Sequence, residues 1–287
     1  MLARAGRSAI PDPSPLVAER LSDRLLVVMR TYFEKPRSTV GWKGLINDPG
    51  LDETFDVNRG LRTARALLLD VLALGLPVGC EFLDPISPQY LSDLVTWGAI
   101  GARTAASQVH RQLVSALSMP VGIKNGTDGD VQVAIDAVGA AAARHVFMGI
   151  NPDGLAALIS TTGNPDGHLI LRGGSNGPNY GAADVADALA RLEKAGLSRR
   201  VIVDASHGNS GKDHVRQAEV TAELAGRIAR GDRDVTGLML ESFLLPGRQD
   251  LGPDMEYGQS VTDACMGWDT TAELLDELAE AVAARRL

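Results

Sequence analysis

Cysteine and aromatic residues are scarce in this sequence. Of 287 residues only two are cysteines, Cys80 and Cys265, and no CxxC spacing occurs. This argues against a disulfide scaffold and against a structural zinc site built on paired cysteines. Aromatic residues account for 4% of the chain, and neither they nor the methionines form a stripe that would indicate a cofactor-binding face.

Long hydrophobic runs and an excess of basic residues are missing as well. No segment approaches the roughly 18 uninterrupted apolar residues of a transmembrane helix, and the first ten residues lack the hydrophobic core of a signal peptide. We therefore expect a cytoplasmic protein with no membrane partner. The formal net charge of −8 also disfavours nonspecific nucleic-acid binding, because such binding depends on Lys and Arg at phosphates.

Short apolar runs that alternate with amphipathic segments are plentiful. Apolar residues make up 45% and charged residues 22% of the chain, the proportions of a globular protein with a sizeable core. Helical spacing of apolar residues predicts helices over 183–195, 215–228 and 271–285. The apolar runs have the length of buried strands in a parallel sheet; they cover 24–30, 76–84, 97–103, 119–126, 145–150, 168–174, 200–209 and 235–242.

This alternation predicts a single (β/α)8 barrel domain over residues 1–287. Barrels of this kind reach such a length as one domain, and no Pro-, Gly- or Ser-rich linker is long enough to separate two domains. A doubly wound open sheet is the competing architecture. It is disfavoured because no G-x-G-x-x-G motif follows an early strand.

Polar residues near the ends of the apolar runs are candidates for one shared site, since the catalytic groups of a (β/α)8 barrel gather at the carboxyl ends of its strands. A single arginine at such a position is more often a surface or ion-paired residue. Several cationic residues together on an acidic protein predict a substrate with phosphate and carboxylate groups. The candidates are Arg30, Lys35, Arg37, Glu81, Arg103, Lys124, Arg172, His207 and Glu241.

A second group of candidates consists of His207, Glu241 and Asp263. Imidazole and carboxylates are the ligand types of catalytic divalent sites for Zn, Mn, Fe or Co. Glu241 favours this interpretation, because it would otherwise bury a charge at the end of an apolar strand. The alternatives are a hydrogen-bonding loop histidine at position 207 and a helix cap at Asp263. The other histidines have no comparable companions and are interpreted as structural: His110, His145, His168 and His214.

Long motifs follow one another from about Leu25 to the C-terminus: "MRTYFEKPRSTVGWKGLINDP", "EFLDPISPQYLSDLVTWGAIGARTAASQVHR", "GIKNGTDG", "LILRGG" with "GPNY", "DASHGNSGKD" and "VTDACMGW". In this order they resemble the type I 3-deoxy-D-arabino-heptulosonate 7-phosphate (DAHP) synthases. The resemblance implies a metal-dependent aldol-type condensation of phosphoenolpyruvate (PEP) with erythrose 4-phosphate. That reaction releases phosphate and opens the shikimate pathway to the aromatic amino acids.

The resemblance also implies a role for each matching residue. Arg37 and Ser38 would bind the phosphate of the aldehyde, and Lys35 would donate a proton to the aldehyde oxygen. Glu81 would help to orient a water or a base. The remaining matches are those of the PEP site, with the phosphate held by Arg103 and Arg172: Arg30, Lys35, Arg103, Lys124 and Arg172.

The metal site departs from the family at one ligand. His207, Glu241 and Asp263 match three of the family's four ligands, and the fourth is a cysteine in a "GPCSIHDP" motif. Aligning "GRSAIPDP" at 6–13 on that motif puts Ser8 at the cysteine. A hydroxyl binds soft or borderline cations less well than a thiolate, so among Mn, Mg, Co, Fe and Zn we expect weaker binding and a preference for Mn or Mg.

Three functions are compatible with these observations. The retained cationic residues and metal ligands favour an active DAHP synthase, or a close paralogue in specialised metabolism that uses a related aldehyde phosphate. Ser8 is the evidence for a noncatalytic homologue that binds PEP-like anions or regulates a partner. Another metal-dependent aldolase or PEP-using synthase is the third. We expect a homo-oligomer, and the few residues before Gly6 predict the loss of the arm that the family uses for feedback.

Overall fold

The structure is a computed structural model that describes residues 14–151 and 153–286. Ser8 and the strand expected at 6–13 lie outside the described residues. The chain divides into two compact units. The first unit contains Val27–Lys124 and Gln132–His168, and the second contains Leu16–Leu26, Asn125–Val131 and the chain from Leu169 onward. Helix α1 (Ser14–Arg20) belongs to the second unit from Leu16 onward.

Parallel strands alternate with helices in the first unit, as the sequence predicts. Strands β1 to β4 pair in chain order, each parallel to the next. Helix α2 begins after Asp56, whose side chain caps the amide of Arg59 at 3.0 Å. The elements are β1 (Met29–Arg30), α2 (Val57–Ala73), β2 (Val78–Glu81), α3 (Pro88–Leu91), a 3-10 turn (Ser92–Leu94), β3 (Trp97–Ile100), α4 (Gln108–Ala116), β4 (Val121–Lys124) and α5 (Gln132–Ala142).

One strand prediction in the first unit is wrong. The apolar run 145–150 was expected to form a buried parallel strand, but β5 (Val146–Ile150) pairs antiparallel with β6 (Ala156–Ser160) in a two-stranded hairpin. Its apolar side chains alternate between exposed and half-buried, and Met148 is 90% exposed. An apolar run alone does not distinguish a buried strand from a hairpin with an exposed apolar face.

The second unit repeats the alternation of parallel strands and helices. Strand β8 lies between β7 and β9 and is parallel to both. The predicted apolar faces of the three long helices are buried, including Leu189, Leu224 and Leu278. The elements are β7 (Gly167–Leu171), α6 (Ala182–Lys194), β8 (Val201–Asp204), α7 (His207–Ser210), α8 (His214–Ala229), β9 (Val235–Met239) and α9 (Trp268–Arg286).

The chain therefore has a mixed α/β fold with parallel strands. Helices α8 and α9 share a buried cluster of Ala225, Ile228, Leu278, Ala281 and Val282. Within the described residues, no helix combines the length and the apolar character that a membrane span requires.

Candidate active site

The polar residues predicted from the sequence lie at the carboxyl ends of the strands or just beyond them. Arg30, Glu81 and Lys124 are the last residues of β1, β2 and β4. In the second unit, Arg172 directly follows β7, and Glu241 comes two residues after β9. This placement agrees with the way parallel α/β proteins build their sites at one edge of the sheet.

A loop after β1 carries three of the predicted substrate-binding residues of the first unit. The amide of Lys35 donates to the carbonyl of Lys43 at 2.8 Å, and Nε of Arg37 donates to the carbonyl of Trp42 at 2.8 Å. These contacts fold residues 35–43 back on themselves. The loop thereby presents Lys35, Arg37 and Ser38 together, as their spacing in the sequence predicts.

Arg103 comes from a different loop but meets the same group of residues. Its Nε donates to Oγ of Ser38 at 3.0 Å. The structure therefore brings together two residues assigned by resemblance to the phosphates of different substrates. Arg30 packs against an aromatic side chain, with its guanidinium carbon 3.7 Å from the ring centroid of Tyr32, a cation–π arrangement that orients the guanidinium.

Glu81 and Lys124 are both buried in the first unit, with exposures of 6% and 3%. Oε1 of Glu81 has no hydrogen-bond partner among the described residues. It lies against Gly101, where an added Cβ would come within 2.4 Å of that oxygen. A larger residue at position 101 would displace this carboxylate, whose unoccupied acceptor suits a water or a substrate proton.

The three predicted metal ligands of the second unit come together. One ligand atom from each of His207, Glu241 and Asp263 lies within 4.8 Å of the others, and Nε2 of His207 is 3.7 Å from Oε1 of Glu241. On its other side, the Nδ1 of His207 faces Oδ2 of the fully buried Asp204 at 2.9 Å. His207 has a φ of 52°, a left-handed conformation whose cost is tolerated where the surroundings hold the residue in place.

Glu241 is held by buried polar neighbours. Oγ of Ser206 donates to its Oε2 at 2.9 Å, which leaves Oε1 on the side of His207. The side chain of Gln217, fully buried, accepts from the amide of Glu241 at 2.7 Å and donates to its carbonyl at 3.0 Å. Both the carboxylate and the backbone of this residue are therefore fixed.

Three asparagines link the loops of the second unit. Oδ1 of Asn125 accepts from the amide of Arg172 at 2.8 Å and from Nδ2 of Asn179 at 3.2 Å. The amide of Asn179 in turn donates to Oδ1 of Asn209 at 2.8 Å. Gly173 allows this close packing, because its φ is 66° and a Cβ there would lie 2.5 Å from the backbone of Gly208.

Neither cysteine belongs to the ligand cluster. Cys80 is buried in the first unit, where desolvation raises the pKa of its thiol to about 12, so it is not a thiolate near neutral pH. Cys265 points its Sγ at the carbonyl of Asp263 at 3.5 Å. Among the described cysteines, none replaces the thiolate that the resemblance calls for.

Comparison with known proteins supplies the family. The profile described as "DAHP synthetase I family" matches residues 15–276. The chain belongs to the DAHP synthetase I family. It is 57% identical over 279 residues to the phospho-2-dehydro-3-deoxyheptonate aldolase of Corynebacterium glutamicum, covering 94% of this chain and 75% of that protein. It is 56% identical over 270 residues to the Phe-sensitive enzyme of Escherichia coli K12, covering 93% and 77%.

A solved structure of the same kind has the same fold. The phospho-2-dehydro-3-deoxyheptonate aldolase of Francisella tularensis SCHU S4 superimposes with a TM-score of 0.90 at 49% sequence identity. The match covers 97% of this chain and 84% of that one. The agreement extends over nearly the whole length of this member of the DAHP synthetase I family.

The donor set of the cluster fits the divalent cation on which the DAHP synthases depend. One imidazole and two carboxylates offer nitrogen and oxygen ligands to Mn, Mg, Fe, Co or Zn. The contact between Asp204 and His207 is the support that metal-bound histidines have on their other ring nitrogen. Both the ligand chemistry and its surroundings therefore suit a metal.

Several functional residues were missed by the sequence reasoning although they stand inside the quoted motifs. Asp204, Ser206 and Asn209 belong to "DASHGNSGKD", Asn125 to "GIKNGTDG" and Asn179 to "GPNY". Buried polar residues next to predicted ligands are a signal for supporting contacts. Asp204 lies only three residues before its partner His207, but Ser206, Asn125, Asn179 and Asn209 have partners distant in sequence, which only the structure identifies.

Proposed function

We propose that this chain condenses PEP with erythrose 4-phosphate, or a related aldehyde phosphate, to DAHP and inorganic phosphate. This is the reaction of a 3-deoxy-7-phosphoheptulonate synthase, the first step of aromatic amino acid biosynthesis. C3 of PEP forms a bond to the aldehyde carbon, and water at C2 replaces the phosphate. The observation that carries the proposal is the His207, Glu241 and Asp263 cluster in a member of this family. A noncatalytic role is not favoured, because relatives at 50 to 57% identity carry the enzyme's name.

We assign the substrates to the cationic residues by chemistry and by motif. Arg30, Lys124 and Arg172, together with Arg103, suit the phosphate and carboxylate of PEP, because guanidinium and ammonium groups form charge-assisted hydrogen bonds to oxyanions. Arg37 and Ser38 suit the phosphate of the aldehyde. The contact between Arg103 and Ser38 supports neighbouring phosphate positions in the first unit.

Three side chains handle protons or orient reacting groups. Lys35 is assigned as the donor of a proton to the aldehyde oxygen as the carbon–carbon bond forms. The free Oε1 of Glu81 is suited to accept from the water that attacks C2 of PEP. The ligand atoms of His207, Glu241 and Asp263 lie within 4.8 Å of one another, and Ser206 donates to Oε2 of Glu241.

The metal is assigned to His207, Glu241 and Asp263, with Ser8 as the fourth position by resemblance alone. A divalent cation bound there supplies Lewis acidity toward the aldehyde carbonyl. The two carboxylates, with a hydroxyl in place of the thiolate, support the preference for Mn or Mg over Co, Fe or Zn.

We also propose that the parallel strands close into a single (β/α)8 barrel. The support is the alternation of strands and helices and the placement of polar residues at strand ends. The homo-oligomer and the cytoplasmic location stay predictions from the sequence.

One assay tests the activity directly. The purified protein is incubated with PEP, erythrose 4-phosphate and each divalent metal in turn, and PEP loss and phosphate release are followed together. Turnover that depends on both substrates and on metal is the expected result. Binding of PEP without turnover for any metal or aldehyde phosphate would favour the noncatalytic role.

The substitution Ser8→Cys tests the fourth ligand position. We expect tighter metal binding and a shift of preference toward Zn, Co or Fe, measured by calorimetry for each metal. Ser198→Cys adds a thiol at an exposed serine of the second unit and is the matched control. Equal metal affinity in Ser8→Cys and the natural protein would contradict a role for Ser8 in the site.

A further inference from the structure

Glu34 is a buried carboxylate to which the reaction assigns no role. It precedes Lys35, is 9% exposed and accepts three hydrogen bonds from one short segment. Oε1 accepts from the amide of Asp84 at 3.0 Å, and Oε2 accepts from the amide of Leu83 at 3.2 Å and from Oγ of Ser87 at 2.8 Å. We call residues 83–87 the spacer loop. Glu34 holds this loop at both its beginning and its end.

His110 holds the spacer loop at Leu83 as well, but through the carbonyl of that residue instead of its amide. Its Nε2 lies 2.7 Å from the carbonyl oxygen of Leu83, and its Nδ1 lies 2.8 Å from Oγ of Ser107. A carbonyl only accepts, so Nε2 carries the proton and donates. The N–H of Leu83 is bound by Glu34 and its C=O by His110, so this residue joins the two side chains.

The contacts form a closed circuit around the substrate-binding residues of the first unit. Glu34 begins the segment that carries Lys35, Arg37 and Ser38, and Ser107 ends the loop that carries Arg103. Arg103 closes the circuit by donating to Ser38 at 3.0 Å. We call the segment 35–38 the Lys35–Ser38 arm and the loop that carries Arg103 the Arg103 arm. The spacer loop connects Glu34, next to the first arm, with His110, next to the second, and the side chains of Ser38 and Arg103 join the two arms at their other side.

We propose that Glu34 and His110 are positioning residues which, through the spacer loop, set the separation between Arg103 and the Lys35–Ser38 arm. This rests on the proposed function, since it assigns those residues to the two substrates. Each side chain has a limited reach, so the separation of the two backbone segments limits which pairs of oxyanion positions Arg103 and the residues Lys35–Ser38 can bind together. Fixing the spacer loop fixes both arms without touching either substrate.

Burial of Glu34 adds a pH dependence to this arrangement. Desolvation raises its pKa to about 7, against the lowering effect of the hydrogen bonds from Ser87, Leu83 and Asp84. The carboxylate of Asp84 raises the pKa of Glu34 further, and Glu34 in turn raises the pKa of the neighbouring Cys80 thiol. Below about pH 7 the carboxyl is protonated and loses acceptor capacity toward the spacer loop.

The test compares substitutions in the circuit with matched controls. Glu34→Gln replaces one acceptor oxygen by an amide group, and Ser87→Ala removes one donor while leaving Glu34 in place. His110→Gln weakens the other side of the spacer loop. Two controls have the same type of contact elsewhere in the first unit: Ser115→Ala, whose Oγ meets Thr161 at 2.8 Å, and His145→Gln, whose Nε2 faces the carbonyl of Ala140 at 2.7 Å.

We expect Glu34→Gln to raise the KM of both substrates by about tenfold while kcat changes by less than about threefold, because binding geometry is lost and proton transfer is not. Ser87→Ala and His110→Gln should follow with smaller increases in KM. Metal affinity should stay unchanged, and the controls should keep the natural KM. In the natural protein KM should rise as the pH falls through about 7, and Glu34→Gln should lack that rise.

Unchanged KM values in folded Ser87→Ala and His110→Gln would overturn the proposal. A loss of kcat at constant KM in Glu34→Gln would overturn it as well. Thermal unfolding shows whether each variant is folded, and Ser87→Ala serves if Glu34→Gln is not. If the natural protein turns over no substrate with any metal, the proposed function fails. The proposal for the spacer loop is then tested by measuring PEP affinity with calorimetry. Glu34→Gln should weaken this affinity by about tenfold, and the control variants should leave it unchanged.

Discussion

The residues assigned to the substrates in the first unit and those assigned to the metal in the second are supported in different ways. Arg103 and Ser38 are exposed, and Lys35 and Arg37 are half-buried. The backbone of their loops is held by hydrogen bonds, whereas the side chains are at least partly open to solvent. The metal ligands instead rest on polar groups that are fully buried, such as Asp204 and Gln217. Oxyanions are bound by flexible cationic arms, whereas a cation requires ligand atoms held at set distances.

Changing one of the three assigned metal ligands should have the largest effect on activity. Glu241→Gln keeps the shape of the side chain but offers an uncharged ligand at the buried centre of the cluster. We expect kcat/KM to fall by about a thousandfold or more, because several kcal/mol of carbonyl activation depend on the cation. Metal content and activity are measured together. Glu223→Gln, which removes a carboxylate bound by Tyr180 in the same unit, should retain both, and metal retention by Glu241→Gln would contradict the assignment.

A smaller loss of metal affinity is expected when Asp204, which supports the ligand His207, is changed. Asp204→Asn leaves all three ligands but removes the charge that faces Nδ1 of His207 at 2.9 Å. Metal affinity measured by calorimetry should fall about 10- to 100-fold, with fold and PEP affinity retained. Asp232→Asn removes the carboxylate that pairs with Arg227 at 2.7 Å and should leave metal affinity alone. Equal metal affinity in Asp204→Asn and the natural protein would show that Asp204 does not support His207 in metal binding.

The substrate side should respond in substrate affinity only. Arg103→Lys keeps the positive charge but loses the planar guanidinium fork that suits phosphate. We expect the KM for PEP to rise about tenfold with metal affinity unchanged. Arg65→Lys, which alters a bidentate contact to Asp93 at the surface of the first unit, is the matched control. A change in metal affinity in Arg103→Lys would remove the contrast between the two regions.

The last prediction concerns stability and pH rather than activity. Burial raises the pKa of Glu34 from 4.5 to about 7, so between these values the folded state keeps a proton that the unfolded state has released. The free energy of unfolding should therefore fall as the pH rises through this interval, on the order of 3 kcal/mol in total, since one pKa unit corresponds to about 1.4 kcal/mol. Denaturant titrations from pH 4.5 to 8 should show this component in the natural protein and not in Glu34→Gln. Parallel pH profiles would mean that the carboxyl is ionised throughout.

Much of the fold follows from local patterns in the sequence. The helix predicted at 183–195 is observed at Ala182–Lys194, and Val185, Leu189 and Leu192 are buried as their spacing requires. Hairpin β5–β6 was not predicted, because an apolar run carries no information about which strand pairs with it. The runs also overstate strand length: 24–30 contains only the two-residue strand Met29–Arg30.

The sequence by itself determined the family, the alternation of strands and helices, and the residue types at the ends of the strands. These are local properties, read from spacing, side-chain chemistry and long motifs. Tertiary structure alone decided which groups support them: Asp204 behind His207, Ser206 and Gln217 around Glu241, and Glu34 across the spacer loop. Asp204 is only three residues before His207, but its complete burial and the other contacts depend on the distances between segments far apart in the chain, and no local pattern specifies those distances.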